Sequence, residues 1–375
     1  MVRAFRRVGV LTSGGDCPGL NAVIRAVAKG LFREGVSVVG IEDGFLGLVE
    51  NRMRELDHAA TSEILTLGGT ILGTNNTTEP ARFFVGRDAA GVAQYENRME
   101  QCLAHTSAAG IEALVVIGGD GSMTCAQPFA RAGLPVVGVP KTIDNDIHGT
   151  ELTFGFQSAV AVATDALDRL HTTAASHHRA MICEVMGRYA GWIALHAGIA
   201  SGADVILLPE IPFEFEHVAA LVERRASRGR RFTILCVAEG AVPVGGSLVV
   251  GRVESHSPDP KRLGGIAAVV AQELERRTKV STRHVVLGHV QRGGTPIASD
   301  RVLGTDFGAQ AVRILTAGRS GRMVAWVGGR VTDVPIEEAA GRQRRVPPEH
   351  SLVEAARSVY TSFGDAPPTA GRKDL

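Results

Sequence analysis

The chain of 375 residues is poor in aromatic side chains, which make up 5% of it, with two tryptophans and three tyrosines. Platforms that stack nucleic-acid bases need such rings. A formal net charge of +1 gives no electrostatic case for a nucleic acid or a membrane surface either. No apolar run is long enough to cross a bilayer. The five cysteines (Cys17, Cys102, Cys125, Cys183, Cys236) are odd in number, scattered and without a C-x-x-C pair. That argues against a disulfide framework and a structural zinc site, and the expectation is reduced thiols in the cytoplasm. His177-His178 has the look of a metal pair but no second cluster to complete it. Met1 to Arg7 is basic, yet Val8–Thr12 is too short for a signal-peptide core. The dinucleotide G-x-G-x-x-G and the Walker G-x-x-x-x-G-K-[ST] are both missing from suitable strand-to-helix turns.

What is present is an α/β alternation. At 45% hydrophobic, a chain this long buries a large core and suggests two lobes. Short Val/Ile/Leu runs at Arg7–Leu11, Val36–Ile41, Ala113–Ile117 and Val136–Val139 read as strands, and so do Arg179–Val185, Val205–Leu208, Phe232–Ala238 and Arg283–Leu287. Helical spacing recurs over Asn21–Phe32, Gln157–Thr173, Arg188–Ile199, Gly264–Arg277 and Ser299–Leu315. Residues 86–97 and 243–263 read as surface excursions, and the Pro-rich tail from Gly341 as frayed at its end.

Val139 to Ile147 organises the rest. Pro140 ends a buried strand, and the loop after it carries Asp144 and Asp146. Gly118-Gly119-Asp120-Gly121-Ser122 is the loop after the preceding strand, and Thr12–Gly19 is a Gly-rich loop after the first. Ligands collect past the carboxyl ends of strands in an open parallel sheet. Three carboxylates, Lys141 and several glycines at one sheet edge suit a polyphosphate with a magnesium ion, because glycine admits backbone N–H groups and carboxylates hold the metal. The plainer alternative, turns that use Gly and Asp for geometry alone, fits one such loop better than two. From composition alone Asp144 and Asp146 are not ranked.

These residues carry a resemblance. The chain resembles the 6-phosphofructokinase family in Ser13-Gly14-Gly15-Asp16, Gly118–Ser122, Thr142-Ile143-Asp144-Asn145-Asp146, Met186-Gly187-Arg188, Ala238-Glu239-Gly240 and Gly288–Gly294. The motifs stand in the family's order across most of the chain. The resemblance implies two Rossmann-like lobes with mainly parallel sheets and an active site in the cleft between them. The large lobe, residues 1–153 and 292–340, would bind the phosphoryl donor, and the small lobe, residues 154–291 and 341–375, the sugar phosphate. The implied reaction moves a phosphoryl group from ATP-Mg to the 1-hydroxyl of fructose 6-phosphate. Asp144 would be the base, with Asp146, Thr142 and Arg188 as catalytic companions and Asp120 as the Mg2+ ligand. Gly14, Gly119, Gly121, Ser122 and Lys141 would bind the donor. Thr142, Asp144, Arg179, Met186, Gly187, Arg188, Glu239, Arg283, His289 and Arg292 would bind the sugar phosphate. Arg179 and Arg283 would reach the site of a neighbouring subunit, which implies a homo-oligomer, a tetramer or a dimer. Arg25, Lys29, Arg52, Arg169, Arg228, Arg230 and Arg231 match basic effector positions, with solvated surface charges as the alternative.

Two departures matter. ATP-using members carry Gly-Gly-Asp-Gly with Pro-Gly-Thr-Ile-Asp, and pyrophosphate users Gly-Gly-Asp-Asp with Pro-Lys-Thr-Ile-Asp; this chain pairs Gly121 with Lys141. An Asp at 121 would crowd and repel the α-phosphate of ATP, so Gly121 favours ATP, with a pyrophosphate-dependent enzyme as the alternative. The second departure follows Gly73-Thr74, where bacterial ATP-using members place an arginine and this chain has Asn75, Asn76, Thr77 and Thr78. Either Arg82 or Lys141 supplies the charge, or catalysis is weak and the chain is a regulatory member of the fold.

Overall fold

In the computed structural model, residues 5–253 and 261–368 are described. The chain runs β1 (Arg7–Thr12), α1 (Leu20–Arg33), β2 (Ser37–Ile41), α2 (Phe45–Glu50), β3 (Met53–Leu56), β4 (Phe83–Arg87), β5 (Ala93–Glu96), α3 (Met99–Ala108), β6 (Ala113–Gly118) and α4 (Asp120–Arg131). It continues through β7 (Val136–Thr142), β8 (Phe154–Gly155), α5 (Phe156–His177), β9 (Ala180–Val185), α6 (Trp192–Ala200), β10 (Val205–Leu207), α7 (Phe215–Ser227) and β11 (Thr233–Ala238). The last elements are β12 (Val250–Val253), β13 (Lys261–Leu263), α8 (Ile266–Arg277), β14 (Thr282–Val286), α9 (Ala298–Thr316), β15 (Arg322–Val327), β16 (Arg330–Pro335), α10 (Ile336–Ala339) and α11 (Ser351–Ser358).

Two compact units emerge. The first takes the chain up to Ser158 and returns for Arg292–Arg344. Its sheet has the order β16-β15-β7-β6-β1-β2-β3, with β8 added to β7. The pairs among β15, β7, β6, β1 and β2 are parallel, and β3 and β16 close the edges antiparallel. Every residue of β6, Ala-Leu-Val-Val-Ile-Gly, is buried, as a strand covered on both faces requires. Leu11, Leu114 and Val116 share one core with Phe45 and Phe129, whose rings stack 5.9 Å apart. The second unit begins at Ala159, leaves at Gln291 and resumes at Arg345. It holds a parallel sheet of order β10-β11-β9-β14. Its core joins Ile182, Leu207 and Leu235 to Val222 of α7 and Val270 of α8.

Register decides where chemistry can collect in the first unit. Thr12 pairs with Ile117, and Gly118 with Pro140. The carboxyl ends of β1, β6 and β7 therefore lie side by side, and their loops open on one edge.

The structure corrects several sequence expectations. Pro140 does not end its strand: the ladder to β6 stops there, where proline has no N–H to give, and Lys141 and Thr142 pair with β8 instead. Asp120, Gly121 and Ser122 are not loop residues but the first turn of α4. Residues 86–97 hold most of an antiparallel β4–β5 pair. The excursion at 243–263 itself contains the antiparallel β12 and β13, and 254–260 lie outside the described residues. Helix α6 starts at Trp192, leaving Arg188 in the loop before it. The tail folds as α11, with His350 capping its N-terminus by accepting from the N–H of Leu352; the end expected to fray lies partly outside the described residues, from 369 on.

Candidate active site

The loop after β1 is held from three sides, all within the first unit. The N–H of Ser13 donates to the Ile117 carbonyl at 2.9 Å. Gly14 has φ +84°, a region open to glycine at little cost. Its N–H donates to the Asn75 carbonyl at 3.0 Å, and its own carbonyl accepts from the Thr74 hydroxyl at 2.7 Å. Lys141, only 4% exposed, points its ammonium at the Gly15 carbonyl. Burial pulls this lysine's pKa down, with Arg292 adding to the fall, while Asp16 and Asp144 oppose it. The Arg292 guanidinium donates to the Asp16 carbonyl at 3.1 Å. Two cations thus brace consecutive carbonyls of one glycine loop.

Beside that loop stands the first turn of α4. Ser122 is buried with its hydroxyl near Gly14, whereas Gly121 is exposed and no atom lies within 4 Å of where its Cβ would stand. The amides and dipole of a helix N-terminus favour an anion here. The loop after β7 then turns through Asn145, which has φ 51° and is 2% exposed. Its side-chain oxygen accepts from the Thr153 N–H at 2.9 Å, and its amide donates to the Glu151 carbonyl at 3.2 Å. The Thr142 hydroxyl accepts from the Asp144 N–H at 3.1 Å and also bonds the Asp146 carboxyl. Lost hydration, then the charges of Asp144 and Asp120, push the Asp146 pKa up to about 8. Three hard carboxylate donors therefore share one neighbourhood. Among the described residues no three His, Cys, Asp or Glu side chains form a metal cage on their own.

In the second unit another set converges. Met186-Gly187-Arg188 follows β9, and Glu239-Gly240 follows the adjacent β11. The Glu239 N–H donates to the Val185 carbonyl at 2.9 Å and the Gly240 N–H to the Gly187 carbonyl at 3.2 Å. A Cβ at Gly240 would collide with the Arg188 carbonyl, so only glycine allows the two loops to touch. Buried Gln291 accepts from the Met186 N–H at 3.3 Å. Arg188 rests with its guanidinium 5.6 Å from the Tyr189 ring. His289 is exposed, Arg179 is half-buried beside β9, and Arg283 is exposed on β14, 3.5 Å from Glu275.

A family model described as Phosphofructokinase matches residues 7–315. The chain belongs to the phosphofructokinase family. It is 47% identical over 367 residues to an ATP-dependent 6-phosphofructokinase 2 of Clostridium perfringens, covering 97% of this chain and 100% of that one. To an ATP-dependent 6-phosphofructokinase of Chloroflexus aurantiacus it is 50% identical over 368 residues, covering 97% and 99%. Among solved structures, phosphofructokinase from Saccharomyces cerevisiae superposes with TM-score 0.73 at 30% identity, covering 96% of this chain and 47% of that longer chain. This chain spans about half the length of the yeast one. A pyrophosphate-dependent phosphofructokinase from Nitrosospira multiformis reaches TM-score 0.78 at 20% identity, over 99% of this chain and 95% of that one, a likeness of fold.

The other expected positions are spread over both units. Arg25 and Lys29 lie on one face of α1, and Arg52 is paired with Asp43 and Glu50 at 2.5 and 2.7 Å. Arg169 pairs with Asp165 at 2.8 Å, and Arg231 faces His178 at 3.5 Å. Arg228 and Arg230 line a cavity of about 180 Å³ with Asp204, Phe232 and Tyr360. Arg82 stacks over the Tyr95 ring at 4.1 Å, so its charge is drawn to the β4–β5 pair, while Lys141 stays with the glycine loop. Thr74, Thr153 and Gln291 brace the loops; the sequence marks Thr74 and Gln291 only as members of their motifs and gives no sign of Thr153. Only the Asn in Asp144-Asn145-Asp146, a residue that tolerates left-handed φ, signalled such bracing.

Asp146 has a pH signature. Between its ordinary 3.8 and about 8, the folded metal-free chain holds a proton that the unfolded chain has released. The stability this group contributes therefore falls as pH rises through that window. Asp146→Asn removes the titration. Its melting temperature should gain on wild type by a few °C between about pH 5 and about pH 8.5, measured by calorimetry in chelator. A difference independent of pH would contradict the raised value.

Proposed function

We propose that this chain is an ATP-dependent 6-phosphofructokinase, transferring the γ-phosphoryl group of ATP to the 1-hydroxyl of fructose 6-phosphate. Relatives of that name, 45–50% identical over nearly the whole chain, support the reaction. The observation that carries the donor choice is the open space at Gly121, at the start of α4, where the α-phosphate and nucleoside need room.

Phosphoryl transfer needs positioning and charge neutralisation more than covalent chemistry. In this reading the Ser13–Asp16 loop and the start of α4 cradle the donor phosphates through Gly14, Gly119, Gly121 and Ser122. Lys141 places its positive charge beside them and takes the part of the missing arginine. Asp144 accepts the proton of the attacking hydroxyl. Asp146, sharing Thr142 with Asp144, keeps that carboxylate oriented. Asp120 and its neighbouring carboxylates suit Mg2+, which takes one or two carboxylates together with phosphate oxygens. When bound, the metal neutralises charge on the transferring group. In the second unit Met186, Gly187, Arg188, Glu239 and His289 grip the sugar phosphate.

A homo-oligomer belongs to the same reading. β14 is an edge strand that leaves Val285 and Val286 37% and 50% exposed, followed by Val290 at 62%. Such an edge is normally covered, and Arg283 stands on it. Sedimentation at assay concentration should give a dimer or tetramer; an active monomer would contradict it.

The donor is tested by kcat/KM with fructose 6-phosphate and either ATP-Mg or pyrophosphate. ATP should be used and pyrophosphate used poorly. Gly121→Asp has room to fold, so its melting temperature should match wild type. Its kcat/KM for ATP should fall on the order of 100-fold through overlap and like-charge repulsion. A wild-type preference for pyrophosphate would overturn ATP as donor and point to Lys141 as the deciding residue.

A further inference from the structure

We infer that Arg344 is a positioning residue of the phosphoryl-transfer loop, fixing where the Asp144 and Asp146 carboxylates point. The loop after β7 makes a left-handed step at Asn145, with φ 51°. Such a step turns consecutive carbonyls away from the ladder that would otherwise satisfy them. Asn145 uses its own side chain on Thr153 and Glu151, so its carbonyl needs a donor from elsewhere. Arg344 brings it: the guanidinium donates to the Asn145 carbonyl at 3.0 Å, and the Arg344 main-chain N–H donates to the Asp146 carbonyl at 2.6 Å. Ile147 forms an antiparallel bridge with Gln343. The three residues after Asp144 are therefore each held, by their own carbonyl or by bridge pairing, to a strip almost 200 positions away in sequence.

The chemistry singles out the guanidinium rather than the strip. A buried carbonyl left without a donor costs about 1–3 kcal/mol, enough to let the left-handed step at Asn145 relax. Relaxation at Asn145 would swing the residues on either side of it, which are the two carboxylates assigned to the reaction. Displacement of a reacting group by about 1 Å can cost on the order of 100-fold in rate. Arg344 itself is assigned no contact with substrate, so its removal should be felt in turnover and not in binding.

This inference rests on the phosphotransfer reading, and the experiment separates the two. Arg344→Met keeps an unbranched stem out to the level of Nε and the main-chain N–H but removes the guanidinium, while Arg344→Lys restores one donor. Arg344→Met should lower kcat by about 10–100-fold, leave KM for both substrates within about twofold and keep the wild-type melting temperature within a few °C. Arg344→Lys should recover most of the loss. Hydrogen exchange is read in parallel, without substrates: amides of residues 143–147 should exchange at least about tenfold faster in Arg344→Met than in wild type, and those of β6 unchanged. Wild-type kcat or unchanged exchange in Arg344→Met would overturn the inference, and so would a loss confined to KM. An inactive wild type with the expected exchange difference would sink the reaction assignment and leave the positioning role standing.

Discussion

Lys141 is the contact on which the architecture at the carboxyl ends of β1 and β7 depends. Its ammonium sits almost out of water and is directed at the carbonyl of Gly15. Burying an unpaired charge is costly, and this one is compensated by the carbonyl and by the charges of Asp16 and Asp144. The result joins the strand end that carries the carboxylates to the strand end that carries the glycines. It does so only because Pro140 lets β7 run on and pair with β8, which carries residue 141 past the β6 ladder. A strand stopping at Val139 would leave that side chain in a loop with no fixed direction.

The same contact bears on the arginine absent after Thr74. Asn75 occupies that region with its carbonyl bound to Gly14 and its side chain closing a turn onto Thr77 and Thr78. It supplies shape and no charge. Arg82 is the next cation along the chain, but it is stacked on Tyr95. Lys141 already stands 3.3 Å from where a Gly14 Cβ would be. A positive charge at the Gly14-Gly15 loop is thus delivered from β7 in place of the loop at 68–76.

Much of this was legible because it is local. A short apolar run followed within a few residues by Gly, Asp or Glu marks a strand end whatever the tertiary context, and β1, β6, β7, β9 and β11 were all readable that way. Parallel topology then aligns their ends without further information. What stayed hidden depends on partners far away in sequence. Pro140 reads as a stop unless β8 is known to wait beyond it. Asp120 reads as loop because glycines surround it, although α4 begins there. The β4–β5 pair has its apolar residues consecutive at Phe83-Phe84-Val85 and little burial in β5, so no alternating period announces it. Arg344 lies in a run of arginines with no motif; only the fold sets it against Asn145.

The central claim is that the carboxylate of Asp144, at the end of β7, takes the proton during transfer. The most direct measurement compares steady-state turnover with a calorimetric isotherm for fructose 6-phosphate in Asp144→Asn. Removing a positioned base should lower kcat on the order of 1000-fold and leave the dissociation constant for fructose 6-phosphate within a few-fold of wild type. Near-normal turnover in that variant would contradict the account.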